Sequence, residues 1–238
     1  MKSSNLRSHT LLTFDLLPST SDYLKENALP TGTIVRANAQ SAGRGRRGNG
    51  FLSQEGGLYF SVKLPRSMAD GEMWAVTFMA ANALCDVIGE QSSVKWVNDV
   101  YIDGRKVAGI LAEVRPDSII LGVGVNVKKV EMPPELKETA VSLEEKGIDM
   151  TADAVLEGFF AHFDSYFDGW DIPLALEKYR PRSLLTGKEI RYTENGEIKY
   201  AKAVGIADNG NLICQRDGET FALSSGEVHT VRNTIEKG

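Results

Sequence analysis

Residues 41–51, Ser-Ala-Gly-Arg-Gly-Arg-Arg-Gly-Asn-Gly-Phe, place four glycines and three arginines in eleven positions. Guanidinium groups are planar forks of donors that match phosphate and carboxylate oxygens. Arg44, Arg46 and Arg47 are therefore candidates for holding an anion. Gly43, Gly45 and Gly48 have the spacing of a dinucleotide fingerprint, but that motif needs a helix to open at its last glycine. Asn49, Gly50 and Phe51 follow instead, and then the apolar run of residues 57–64. The stretch reads as a loop between two strands, and its charge needs another explanation.

A second pairing comes from Tyr101-Ile-Asp-Gly-Arg-Lys106, where Asp103-Gly104 suits a two-residue type I′ hairpin turn. In that register Ile102 faces Arg105, Tyr101 faces Lys106 and Asp99 faces Ala108. Asp99 and Lys106 then share a face as diagonal neighbours about 7–8 Å apart. They could flank one ligand; a solvated surface pair is the alternative. A calcium loop is excluded, because Tyr101 and Ile110 stand where oxygen ligands are required. In the run of residues 121–127, Leu121, Val123, Val125 and Val127 share one face. Gly122 and Gly124 share the other, with Asn126 beyond them. Glycines inside a strand mark the close approach of a ligand or another backbone; a helix packed on the bare face is the alternative. Gly109, on the neighbouring strand, adds to the cleared floor.

The elements that must carry these residues follow from periodicity. Residues 10–16 and 33–39 read as strands, with a helix capped by Ser19 or Thr20 running to about Asn27. Residues 73–88 place Met73, Val76, Thr77, Ala80, Leu84, Val87 and Ile88 on one helical face. Three strands follow over 94–102, 105–114 and 119–127, then helices over 152–167 and 173–179. Beyond Leu184, short strands alternate with Asn-Gly and Asp-Gly turns, the texture of a small β barrel or sandwich. The expected fold is α+β: a mixed sheet with helices over residues 1–183, then a small β domain over 184–238.

Composition narrows the function. The 238-residue chain holds 27 basic residues against 32 acidic ones, a net charge of −5. That balance lacks the basic footprint of a sequence-independent DNA binder. The first ten residues have no apolar core, which argues against a signal peptide, and no run approaches membrane-spanning length. Cys85 and Cys214 lie far apart and read as buried reduced thiols of a cytoplasmic protein. His9, His162 and His229 are scattered, giving no support to a metal cluster or a nucleophilic triad. Trp74, Trp96, Phe159, Phe160 and Phe163 fit a core. Thr186-Gly-Lys-Glu189 is no phosphate-binding loop, and the kinase signatures are missing.

In this order the motifs resemble the biotin protein ligases, the biotin–[acetyl-CoA-carboxylase] ligases. The resemblance rests on Ser19-Thr-Ser21, residues 40–48, Lys95-Trp-Val-Asn-Asp99, the block of residues 105–113 and Gly122-Val-Gly-Val-Asn126. It runs from about residue 10 to 232. Residues 205–212 and Ser225-Gly-Glu-Val228 resemble the family's C-terminal SH3-like domain. Ser21 stands where the family usually has Asn, Val97 where it has Pro, and Phe51 where Trp is common. The implied fold is a class II synthetase-like sheet of the biotin/lipoate ligase type with a C-terminal SH3-like barrel.

The resemblance implies that ATP and biotin form biotinyl-5′-AMP, with Mg²⁺ on the triphosphate, and that the biotinyl group passes to a lysine of a biotin carboxyl carrier protein. It assigns Ser19, Thr20, Ser21, Gln40, Gly43, Arg44, Gly45, Arg46, Lys106 and Gly109 to biotin. Arg44, Arg46, Arg47, Asn98, Lys106, Gly122, Gly124 and Asn126 go to the adenylate. Arg46, Lys106 and Asp99 are the expected catalytic residues, with Asp99 orienting Lys106 or the incoming amine. No side-chain metal site is implied. The arginine loop then becomes a lid that is mobile when empty and ordered by its anionic ligand. Family members are monomers or homodimers; the DNA-binding domain that some carry is not expected before a strand starting near Thr10. One rival is a lipoate or octanoate transferase on the related fold, which the arginine loop disfavours. The other is an RNA-binding strand at Arg47-Gly-Asn-Gly-Phe51, which offers one aromatic where such modules stack bases on several.

Overall fold

Alternating side chains along eight short strands build the sheet that frames the site. The computed structural model describes residues 1–66, 72–194, 196–224 and 228–231, and the side chains of all of these except Ser3, Asn5 and Arg47. The strands are β1 (Lys2–Leu6), β2 (His9–Leu17), β3 (Thr33–Gln40), β4 (Leu58–Pro65), β5 (Ser92–Lys95), β6 (Asp99–Ile102), β7 (Arg105–Val114) and β8 (Ser118–Val125). Their order is β1-β2-β3-β4-β8-β7-β6-β5. The β2–β3 pair is parallel and the others antiparallel, so the sheet is mixed. Helix α1 (Thr20–Glu26) makes the β2–β3 crossover, and Ser19 caps it by accepting from the Asp22 amide.

The two faces of the sheet differ. On one, α2 (Met73–Ile88), α4 (Ala152–Phe167) and α5 (Ile172–Arg182) cover the core. Residues 75–85 of α2 are all buried, so this helix is enclosed rather than one-sided. Its buried Asn82 is satisfied by donating to the Ala175 carbonyl at 2.8 Å. Phe78 stacks on Tyr179 with ring centroids 3.6 Å apart, and α4 contributes Phe159, Phe160 and Phe163. Truncating one such buried ring costs about 3–5 kcal/mol. On the other face α1 covers Leu12, Leu17, Val35, Ala37 and Ile120. Beyond α1 that face carries, among the described residues, the four-residue helix α3 (Pro134–Lys137), and there the glycines lie.

Several expectations are corrected. Residues 2–6, which carry no apolar signal, form the edge strand β1. The run 94–102 is two strands, because residues 96–98 form a turn between β5 and β6. The hairpin turn at Asp103-Gly104 has both residues at positive φ, as a type I′ turn requires. A bulge between Val100 and Tyr101 then moves Asp99 opposite Gly109 rather than Ala108. The C-terminal strands are β9 (Glu189–Glu194), β10 (Glu197–Ile206), β11 (Leu212–Arg216), β12 (Glu219–Leu223) and β13 (Val228–Thr230). They form an antiparallel sheet in the order β12-β11-β10-β9-β13. The expected small β domain is thus an antiparallel sheet, and among the described residues β12 and β13 do not pair to close it. Cys85 and Cys214 are free and buried as expected; burial pushes the Cys214 thiol up to about 11.

Candidate active site

The bare face carries a cleft of about 480 Å³. Its inner end is a cluster of buried hydroxyls. Ser61, a polar residue in the apolar β4 run, lies beside Gly122 and meets the Oγ atoms of Thr20 and Ser21, each at 2.8 Å. Gln40, at the end of β3, accepts from the Thr20 amide at 2.8 Å and donates to Ser53 Oγ at 2.9 Å. Ser19, Thr20 and Ser21 sit on the first turn of α1, whose amide dipoles favour negative charge. Buried hydroxyls that bond chiefly to one another can turn those bonds to a polar ligand.

The glycines form the floor. A Cβ on Gly122 would lie 2.8 Å from Ser21 Oγ, and one on Gly124 would lie 2.6 Å from the Phe51 ring. Both expectations for the bare face thus hold at different points: α1 reaches Gly122, and the cleft opens beyond it. The Phe51 ring also covers Gly109 and lies 5.6 Å from Lys106 Nζ. On the far side of Phe51 and Lys106 lies a second cleft of about 640 Å³, lined by Leu52, Tyr59, Asn126, Val130, Met132 and Leu136 among others. Sequence reasoning missed it, because its wall joins residues 50–59, Lys106 and Asn126 to the segment 128–140, whose Val130, Met132 and Leu136 follow no period.

The arginine loop closes over the first cleft. It holds one 3-10 turn, Arg46–Gly48, and an antiparallel bridge of Arg44 with Gly50. Arg44 donates to Asp22 at 2.6 Å and lies 3.7 Å from Glu113, while Lys25 is 2.6 Å from Glu113 and 3.1 Å from Asp22. Burial raises the Asp22 pKa, but hydrogen bonds from Lys25 and Arg44 outweigh it and hold the carboxyl below its usual range. Arg46 donates to Asn98 Oδ1 at 3.1 Å, and Asn98 is fixed by donating to the Ile110 carbonyl at 2.8 Å. Lys106 Nζ is 2.8 Å from Asp99 Oδ1.

The first cleft thus brings together Ser19, Thr20, Ser21, Gln40, Arg44, Gly45, Arg46, Asn98, Lys106, Gly109, Gly122 and Gly124. Asp99 reaches it through Lys106. Gly43 stands behind the wall, where a side chain would strike the Phe51 carbonyl and Ser53. Asn126 lies on the second cleft, its amide donating to the Val141 carbonyl at 3.1 Å. The Arg47 side chain lies outside the described residues, as do residues 225–227 of the C-terminal motif. Among the described residues no three His, Cys, Asp or Glu side chains converge as a metal site, and no helix is long and apolar enough to cross a membrane.

Two clefts that meet at a lysine beneath an arginine loop suit the joining of a carboxylate to a nucleotide phosphate, and the surrounding fold has known relatives. The model of the biotin/lipoate A/B protein ligase family matches residues 13–129, and that of the biotin protein ligase C terminal domain matches residues 186–229. The bifunctional ligase/repressor BirA of Bacillus subtilis is 33% identical over 241 residues, covering 92% of this chain and 73% of its own length. The biotin–[acetyl-CoA-carboxylase] ligase of Mycobacterium tuberculosis is 30% identical over 214 residues, 84% of this chain and 80% of its own length. The biotin protein ligase of Aquifex aeolicus, solved with biotin and ATP, superposes with a TM-score of 0.83 at 30% identity, covering 93% of this chain and 98% of that one.

Fold and site together define the class of biotin and lipoate ligases. Within it, the chain belongs to the biotin protein ligase family, and its enzymatic class is that of a biotin-attaching ligase, in preference to the lipoate or octanoate alternative.

Proposed function

We propose that the protein condenses biotin with MgATP to biotinyl-5′-AMP and then passes the biotinyl group to one lysine of a biotin carboxyl carrier domain. The observation that carries this reading is the meeting of the two clefts at Lys106 and Phe51 beneath the arginine loop. Biotin's polar head turns to Ser19, Thr20, Ser21 and Gln40, and its carboxylate points to Lys106. The adenosine end of ATP lies toward the second cleft, near Asn126. A carboxylate oxygen attacks the α-phosphorus, the bond to the β-phosphate oxygen breaks, and pyrophosphate leaves.

Such a transfer is catalysed mainly by positioning and charge stabilisation. Arg44, Arg46, Arg47 and Lys106 offset the converging negative charge, and the magnesium that arrives with the triphosphate offsets the rest. Gly109, Gly122 and Gly124 let the ligand lie close to the strands, while Asn98 aims Arg46 and Asp99 aims Lys106. Closure of the loop keeps water from the mixed anhydride. The acceptor amine then attacks the acyl carbon and AMP leaves.

The reading extends to organisation. Residues 1–183 form the catalytic unit and residues 184–238 an SH3-like unit. The protein works in the cytoplasm as a monomer or homodimer, with the carrier rather than DNA as its macromolecular partner. Incubation with labelled biotin, MgATP and an unbiotinylated carrier domain tests it. One carrier lysine should take the label, and a carrier with that lysine changed to arginine should take none. Label taken up without ATP, or a carrier that takes lipoate or octanoate instead, overturns the reading.

A further inference from the structure

The protons of the hydroxyl cluster at the inner end of the first cleft run in one direction. A backbone amide can only donate, and that of Thr20 donates to Gln40 Oε1 at 2.8 Å, which fixes the orientation of the Gln40 amide. Gln40 Nε2 therefore faces Ser53 Oγ at 2.9 Å, and Ser53 gives its own proton to the Phe51 carbonyl at 2.9 Å. The Thr20 hydroxyl donates to the same Gln40 oxygen at 3.2 Å. Each hydroxyl has one proton to give. With that of Thr20 spent, Ser61 donates across the 2.8 Å to Thr20 Oγ1, and Ser21 donates across the 2.8 Å to Ser61 Oγ. The run goes from Ser21 to Ser61 to Thr20 to Gln40.

Ser61 stands in the middle of it, fully buried on β4 opposite Gly122. Without its hydroxyl, Thr20 would keep its proton on Gln40, but Ser21 would lose its acceptor and could turn its proton into the cleft. With Ser61 in place, the three hydroxyls offer the cleft lone pairs and no protons. Ligand N–H groups suit such a surface. An oxygen set in the same place would leave buried acceptors facing one another, unsatisfied and out of water. The disulfide ring of a lipoyl head brings no donor either.

Resting on the proposed function, we infer that Ser61 is a positioning residue for biotin selection. Acting through Thr20 and Ser21, it sets the hydrogen-bond polarity of the pocket, so that a head ring with N–H donors is accepted and the same ring with oxygen in that place is refused.

The test compares biotin with the two cyclic carbamates in which one or the other ureido N–H is replaced by oxygen, reading kcat/KM for pyrophosphate release. Wild type should prefer biotin to at least one carbamate by roughly 10⁴-fold, as a site built around a substrate N–H does. Ser61→Ala should raise KM for biotin roughly tenfold with kcat nearly unchanged, because the head lies away from the reacting carboxylate. It should also cut the preference over that carbamate by about tenfold or more, since the released Ser21 hydroxyl can donate to the new oxygen. Ser61→Thr, which keeps the proton, should hold the preference within about threefold of wild type. An unchanged preference against both carbamates in Ser61→Ala overturns this inference alone. So does a Ser61→Thr variant that relaxes the preference as far as alanine does, which would mark an effect of packing. A wild-type protein that makes no adenylate from biotin overturns the functional reading, and this inference with it.

Discussion

Lys106 has a carboxylate at 2.8 Å, an aromatic ring 5.6 Å away and a cleft on either side. Asp99 holds the ammonium, and Phe51 limits where it can swing. Arg46 approaches the first cleft from the loop side, steadied by Asn98. Replacing either cation with alanine should lower single-turnover adenylate formation by roughly 10²–10³, as loss of one preorganised donor does in a water-excluded site. Neither change should shift stability by more than about 0.5 kcal/mol, because neither side chain belongs to the core. Arg46→Ala should also leak biotinyl-AMP that labels a bystander protein, whereas Lys106→Ala should slow the chemistry with less leakage. Near wild-type rates and retention in both variants would reduce the pair to a solvated charge cluster.

At the scale of elements, the arginine loop is tied to the body of the sheet by ion pairs that join it to α1 and β7. Arg44 meets Asp22 of α1, and Lys25 links Asp22 to Glu113 of β7. An incoming phosphate would compete with Asp22 for the Arg44 fork. Asp22→Asn should therefore raise hydrogen exchange in residues 43–50 and speed adenylate release, at a stability cost of no more than about 1 kcal/mol from the weakened first turn of α1. Exchange equal to wild type would show that the pair does not restrain the loop. These elements also show what the sequence made legible. Alternation and turn chemistry reveal the glycine floor and the Asp99–Lys106 pairing, because both depend on local periodicity. Ser61 could have been noticed as a hydroxyl inside an apolar strand. The second cleft and the Asp22–Lys25–Glu113–Arg44 cluster could not, because they join segments distant in sequence through tertiary packing.

Across the whole molecule, the two sheets share one core. Trp96 Nε1 donates to the Gly210 carbonyl at 2.9 Å, Arg180 Nε donates to the Ile206 carbonyl at 3.0 Å, and Trp74 packs against Gly210. The N-terminal strands are held to α4 in turn. His9 Nε2 faces Asp164 at 3.1 Å and Nδ1 faces the Gly32 carbonyl at 3.2 Å, with Arg7 also on Asp164. Two acceptors favour the imidazolium, and the hydrogen bond to Asp164 raises the His9 pKa above 6.5 against the opposing effect of burial. A raised folded-state pKa gives stability that is fully present below the unfolded value and is lost as pH rises through the folded one. Melting temperature should accordingly fall between about pH 6 and 8 by more in wild type than in His9→Gln; parallel profiles would remove His9 from that dependence.

The central claim is that the two clefts join biotin to the nucleotide across Lys106 before any acceptor arrives. It is tested most directly by incubating the protein with biotin and MgATP alone, recovering what stays bound and identifying it by mass. The expected result is one equivalent of biotinyl-5′-AMP per protein, with pyrophosphate released only when biotin is present. Pyrophosphate release that ignores biotin, or no adenylate with both substrates supplied, would contradict it.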